Sequence, residues 1–217
     1  MKKAIIFDLD GTLINSIPYH LEIHKAVFKD LNITVSNEFF HTRCNGSSPK
    51  DFYKIILEHY AGNLDLYDKA MVLCEEKDAL KIQELKQVKL FPQVRDVLER
   101  LKKQGLLLAV ASSSPIKYIE TFLEHTGIKD FFCCYTGGDE VKHSKPAPDI
   151  FLRAQEKLGI AKEDCVIIED AVQGVLAAQN AGIECICLLT TEKEEDIPEY
   201  ATIAQSHDKI IKLIKNM

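Results

Sequence analysis

Two carboxylates, Asp8 and Asp10, close an unbroken apolar run, Ala4-Ile5-Ile6-Phe7, and Gly11 follows them directly. An apolar run of this kind reads as a strand buried on both faces, and the glycine lets the chain turn sharply behind it. Both acids then stand at the carboxyl end of a central strand, the edge of an open α/β sheet at which ligands bind. Acids in such surroundings need a cation or a network of hydrogen-bond donors. Three later sets have the same character. Ser112 opens Ser112-Ser113-Ser114 after the apolar run 106–111, Lys145 opens Lys145-Pro146-Ala147-Pro148-Asp149, and Glu169-Asp170 follows the run 165–168. The prolines stiffen the segment that carries the Lys145 ammonium. The Ser112 hydroxyl and its neighbouring amides suit an anion at a helix N-terminus, and equally suit a simple N-cap. Acids opening a helix are favoured by its dipole in any protein, but that does not account for two of them emerging from a buried strand.

The elements that must position these groups alternate. Strand-like runs at 106–111, 131–135, 165–168 and 185–189 are separated by helical patterns near 93–104, 115–126, 147–158 and 171–181. Gly105, Gly127, Gly159 and Gly182 close several of the helices, as residues just past a helix end prefer. Strands and helices in alternation predict a parallel sheet with crossover helices. Residues 15 to about 86 break the pattern with helical spacing only, and predict a four-helix insertion joined to the rest near Asn15-Ser16 and Lys89-Leu90-Phe91-Pro92. Pro18 behind Ser16, and Ser48-Pro49-Lys50-Asp51, look like helix starts. The expected division is 1–14 with 87–217 as an α/β core and 15–86 as a helical lid. A short amphipathic helix is expected over 209–215.

The 217 residues carry 46% hydrophobic side chains and a formal net charge of -6. That balance, without a basic cluster, argues against nucleic acid or an anionic membrane as partner. Charges break every apolar run well short of a membrane span, and Lys2 and Lys3 precede too short an apolar stretch for a signal peptide. Seven cysteines form no C-x-x-C pair, so reduced thiols and a cytoplasmic location are expected. No coiled-coil or dimer stripe is visible, and a monomer is expected.

Asp8-Leu9-Asp10-Gly11-Thr12, Ser112, Lys145-Pro146-Ala147-Pro148-Asp149 and Glu169-Asp170, in this order, resemble the four motifs of the haloacid dehalogenase superfamily, in its phosphatase and phosphomutase branch. The insertion resembles the small helical cap of that superfamily, and the β-phosphoglucomutase-like sugar-phosphate phosphatases are the group most similar. The resemblance implies a Rossmann-like parallel core with an inserted four-helix cap. It implies Asp8 as a nucleophile forming an aspartyl-phosphate, Asp10 as general acid and then base, and Ser112 and Lys145 as phosphate-holding groups. It further implies Mg²⁺ on Asp8, the Asp10 carbonyl and Asp170, with Glu169 orienting metal-bound water. The demand is steep, since phosphate-monoester hydrolysis can require acceleration of about 10²¹-fold, supplied by positioning and charge neutralisation. An acid poised near working pH beside one that stays ionised is the expected division of labour between Asp10 and Asp8.

Substrate choice should fall to the cap, where His20, Asn45, Gly46, Ser47 and Lys77 are the candidates, with Cys44, Ser48 and His24 beside them. His20 falls where the mutase branch has a cap histidine. His20 and His24, four residues apart, read alternatively as a metal pair without a third ligand or as two solvent-facing side chains. Several positions depart from the mutase pattern. Asn45 stands in place of a lysine and Pro49 in place of an arginine, with Lys50 a point charge where a planar fork is needed. Asn15 replaces a common acid and Gln93 the usual glycine after Phe91-Pro92. A mutase must hold a sugar bisphosphate in two orientations and so needs a second anion site in the cap; the weakening of that site favours hydrolysis of a small sugar or nucleotide phosphate by a Mg²⁺-dependent phosphatase. A phosphomutase and a non-catalytic phosphate-binding protein are the alternatives.

Overall fold

The computed structural model describes residues 2–36, 39, 49–81 and 88–217. In chain order the strands are β1 (Ala4–Phe7), β2 (Ile14–Asn15), β3 (Lys89–Leu90), β4 (Leu107–Ala111), β5 (Cys134–Thr136), β6 (Cys165–Glu169), β7 (Cys185–Leu188) and β8 (Thr202–Ala204). The helices are α1 (Ile17–Asp30), α2 (Pro49–Tyr60), α3 (Tyr67–Lys81), α4 (Val94–Lys103), α5 (Ile116–His125), α6 (Asp149–Leu158), α7 (Val172–Ala181) and α8 (His207–Lys215). Six strands form one sheet in the order β5-β4-β1-β6-β7-β8, with every neighbouring pair parallel.

Every residue of β1 is buried, because its two faces meet two different cores. Ile5 and Phe7 pack into one that includes Leu108, Val110, Val166 and Ile168 with residues of α4, α5 and α8. Ala4 and Ile6 pack into the other, against Phe151 of α6 and Val175 of α7. This is the period-2 alternation of a strand covered on both sides. The register sets Phe7 beside Val110 and Ile168, so the residues just past β1, β4 and β6 emerge side by side. All four expected helix-closing glycines have positive φ, from 65° to 80°.

The expected joints are themselves paired. Ile14 lies opposite Leu90 and Asn15 opposite Lys89 in an antiparallel ribbon of β2 and β3. Gln93, just beyond, has φ 70°, a left-handed conformation that costs a non-glycine residue about 1 kcal/mol or more. Two further expectations are corrected. The run 131–135 becomes a strand only from Cys134. Phe131 closes a 3-10 turn, and Phe132 is buried edge-on against Phe7, ring centres 6.2 Å apart. Strand β8 was not expected; it is three residues long with one buried, too short for an alternating pattern to show. The six described cysteines are free thiols.

Helices α1 to α3 form the described part of the helical cap. Their apolar faces, with Ile23, Val27, Phe28, Tyr53 and Ile56 fully buried, run into the core through Leu9, Leu13 and Ile14. His24 faces this interior. Its Nδ1 lies 2.9 Å from the Tyr53 hydroxyl, and its ring stacks on Phe52 at 4.0 Å. Burial, aided by the nearby His20, lowers its pKa to about 3. His24 therefore neither pairs with His20 on a metal nor faces solvent. The unfolded chain takes up a proton at His24 near pH 6.5 that the folded chain refuses. The stabilisation is thus complete above pH 6.5 and is lost progressively as pH falls towards about 3. Thermal melts should show the Tm of His24→Phe rising relative to that of the wild type as pH falls from 7 to 5, because only the wild type carries this penalty.

Candidate active site

Gly11 turns the chain with φ 85°. A Cβ on it would stand 2.2 Å from Asp170 Oδ2, so the loop after β1 lies directly on the residue that follows β6. Thr12 Oγ1 then donates to Asp170 Oδ1 at 2.7 Å, and Thr191 Oγ1 donates to Asp170 Oδ2 at 2.6 Å. Glu169 is held as firmly. Its Oε2 accepts the amides of Asp170 (2.8 Å) and Ala171 (3.0 Å). A Cβ on Gly174, in the first turn of α7, would fall 1.8 Å from Oε1, so the carboxylate occupies the space a side chain there would need.

Lys145 projects from the segment before α6, where its peptide bond to Pro146 is cis. The ammonium donates to Asp8 Oδ1 and to Glu169 Oε1, both at 2.5 Å. It also lies 5.0 Å from the centre of the Phe151 ring. Burial alone would push Lys145 down, but Asp8 and Glu169 outweigh it and keep the ammonium charged. Burial pushes Asp8 well above the ordinary carboxylate range, with Glu169, Asp170 and Asp10 adding to Lys145's failure to offset it. Burial and Glu169 likewise raise Asp170 to about 8, against its threonine donors.

Asp8, Glu169 and Asp170 each bring an oxygen within 4.8 Å of the others. Among the described residues these three buried carboxylates gather around the Lys145 ammonium, and burial with their mutual repulsion makes Asp8 and Asp170 resist ionisation. Hard oxygen donors with excess negative charge fit Mg²⁺. Asp8 and Asp170 would hold it. Glu169, with one oxygen on Lys145 and the other on two amides, is arranged to orient the set.

Asp10 is built differently. Oδ1 accepts from Ser16 Oγ at 2.5 Å and faces His20 Nε2 at 3.0 Å. Oδ2 accepts from Ser112 Oγ at 3.1 Å and from Ser114 Oγ at 3.0 Å. Burial opposes ionisation, but His20 and the hydroxyls prevail and lower Asp10 to about 2. Asp10 in turn raises His20 against the effect of its burial. The expected acid poised near neutrality is thus found as an ionised acceptor, with the proton on the histidine side of the pair. The helix starts where Ser16 and Pro18 predicted, with Ser16 at its N-cap position and its carbonyl accepting His20 N at 3.0 Å, but the Ser16 hydroxyl serves Asp10 and caps nothing.

The structure therefore brings Asp8, Asp10, Ser112, Lys145, Glu169, Asp170 and His20 together. Lys77 is elsewhere, paired with Asp30 of α1 at 2.5 Å. One position on, about 100° around α3, Asp78 is the residue that interacts with His20 and Asp10. Asn45, Gly46 and Ser47, with Cys44 and Ser48, lie outside the described residues. Ser16, Ser114, Thr12, Thr191 and Asp78 were missed. Ser114 had a visible signal, two residues beyond Ser112 in the same polar run, and Thr12 closes the first motif itself.

Residues 5–188 match the family model described as haloacid dehalogenase-like hydrolase. The chain is 32% identical over 184 residues to a phosphorylated carbohydrates phosphatase of Thermotoga maritima, covering 85% of this chain and 83% of that protein. It is 31% identical over 209 residues to a phosphoglycolate phosphatase of Colwellia psychrerythraea, covering 92% and 90%. In fold it is similar to the crystal structure of β-phosphoglucomutase from Clostridium difficile, with TM-score 0.88, 24% identity and coverage of 100% and 96%.

Proposed function

We propose that this chain, which belongs to the haloacid dehalogenase-like hydrolase family, is a Mg²⁺-dependent phosphatase that hydrolyses a small sugar or nucleotide phosphomonoester through an aspartyl-phosphate. The observation that carries the reading is the meeting of Asp8, Lys145, Glu169 and Asp170 at one buried point on the sheet edge, beside a second acid in a separate donor network.

Bound Mg²⁺ supplies the positive charge that lets a carboxylate approach a phosphate dianion. Asp8 forms a bond to phosphorus as the ester oxygen departs on the opposite side. Lys145, pinned between Asp8 and Glu169, holds phosphoryl oxygens and neutralises charge as it spreads over them. Asp10 passes a proton to the leaving oxygen, drawing on His20 Nε2 at 3.0 Å. In the second half it takes a proton from the water that attacks the aspartyl-phosphate, releasing inorganic phosphate and restoring Asp8. Ser16 and His20 reach Asp10 from the start of the cap, and Ser112 and Ser114 from the core, so the proton-transfer group lies at the junction of the two.

We divide the chain accordingly into a core of residues 1–14 and 87–217 and a cap of 15–86. No helix among the described residues is long and apolar enough to cross a membrane. A cytoplasmic monomer acting on a small metabolite and not on nucleic acid completes the reading, supported by the free thiols and the net charge of -6.

Metal removal tests the reading directly. EDTA should abolish phosphate release from p-nitrophenyl phosphate, and excess Mg²⁺ should restore it; turnover that persists in EDTA would exclude the mechanism. Incubation with β-glucose 1-phosphate and a bisphosphate primer should release phosphate faster than it yields glucose 6-phosphate. The reverse outcome would identify a mutase.

A further inference from the structure

We propose that His207 is a positioning residue of this site: its imidazole fixes the carbonyl of Thr12, and through Thr12 it fixes the carboxylate of Asp170. The inference rests on the reading of Asp170 as a Mg²⁺ ligand and adds a residue that acts from behind it.

His207 opens α8 and stands 195 residues from Thr12 in sequence. Its side chain is buried, and its Nε2 lies 2.6 Å from the Thr12 carbonyl oxygen. A carbonyl only accepts, so Nε2 carries the hydrogen. Thr12 is itself fully buried, and its Oγ1 donates to Asp170 Oδ1 at 2.7 Å. The residue is thus held at both ends, its backbone by α8 and its hydroxyl by the acid that follows β6.

The neighbouring carbonyls are held in the same manner. Gly11 O accepts from Thr190 Oγ1, beyond β7, at 2.6 Å. Leu13 O accepts from the Phe91 amide, just past β3, at 3.1 Å. Three successive carbonyls of the loop after β1 therefore receive donors from three separate segments. The middle donor is fixed in turn. The His207 ring stacks on Phe91, with centres 5.6 Å apart and planes at 26°. Helix α8 is seated by Ile210, Ile211 and Ile214 in the same core as Ile5 and Phe7 of β1. One imidazole thus meets both the loop that leads into the cap and the segment that returns from it.

Without this donor the Thr12 carbonyl is left buried and unpaired. The peptide then relaxes towards another partner, and the hydroxyl that orients Asp170 moves with it. Groups that orient a metal ligand are worth about 10–100-fold in metal affinity or activity. His207 acts one residue further back, and an effect of about three- to tenfold is expected.

The test uses the whole protein and three substitutions. His207→Phe keeps a ring on Phe91 and removes the donor. His207→Gln loses the ring but carries an amide donor at the reach of Nε2. His207→Asn carries the same amide one methylene short. The first readout is the Mg²⁺ concentration that gives a fixed rise in Tm without substrate. The second is kcat for p-nitrophenyl phosphate at saturating Mg²⁺. His207→Phe and His207→Asn should raise the Mg²⁺ requirement about three- to tenfold and lower kcat by a similar factor. His207→Gln should stay within about twofold of the wild type on both. In a Thr12→Val background, adding His207→Phe should move the Mg²⁺ requirement by less than about twofold further, because the hydroxyl it acts through is gone. Where His207→Phe does not fold, the difference between the Gln and Asn substitutions decides. Equal losses in those two would make His207 a packing residue and overturn the inference. A Mg²⁺ requirement unmoved in His207→Asn overturns it too. A wild type that Mg²⁺ stabilises but that hydrolyses no ester overturns the phosphatase reading alone, and the Mg²⁺ requirement still decides the role of His207. A wild type that Mg²⁺ does not stabilise overturns both.

Discussion

Asp8→Asn should lower phosphate release from an aryl phosphate by about 10⁴-fold or more, the scale of losing a covalent nucleophile. The amide oxygen can still accept from Lys145, so the loss is expected in kcat with the fold retained. A second readout separates this from general damage. Asp8 is raised well above the usual carboxylate range by its burial, and Asp170 is raised to about 8. Groups whose folded pKa exceeds the unfolded value stabilise the protein when protonated, below the unfolded value. That contribution is lost as pH rises through the folded value. Metal-free wild type should therefore lose stability from about pH 4 towards pH 8, and Mg²⁺ should reverse the trend. Asp8→Asn removes one of the two groups and should flatten the pH dependence of Tm in EDTA. Near-normal turnover in this variant would eliminate the assignment of Asp8.

Lys145→Met should cost both stability and catalysis. The ammonium is 3% exposed and holds two carboxylates that are themselves 7% and 2% exposed. Removing one member of a buried ionic set costs about 3–5 kcal/mol, because the remaining charges are left unpaired. The loss should be greater at pH 8 than at pH 5.5, since protonation of a carboxyl relieves the repulsion and the folded-state pKa rises further. Urea titrations at the two pH values measure this directly. Loss of the charge opposing the phosphoryl oxygens should also reduce kcat/KM by about 10²–10³-fold even where the variant is fully folded. A variant with wild-type stability and turnover would show that the Lys145 triad is incidental.

Regions of the chain differ in how much of their structure is local. The β1 run, the helix-closing glycines and the acids at strand ends were legible, because a doubly covered strand needs a continuous apolar run and left-handed turns select glycine. Ser16, Ser114, Thr12 and Thr191 were not, because hydroxyl residues are common in loops and only their meeting at Asp10 and Asp170 gives them meaning. Lys77 and Asp78 show the limit most plainly. Adjacent helical residues point about 100° apart, and only the packing of α3 against α1 determines which of them turns towards the site.

By itself the chain determined the strand-helix alternation, the helical insertion and the four polar segments, since periodicity and turn chemistry are local properties of the residues. The tertiary structure alone decided that Lys145 joins Asp8 to Glu169 and that Asp10 lies ionised among four donors. Those relations span up to 137 residues of sequence. They depend on the register of parallel strands and on how helices roll against one another, which no local pattern encodes.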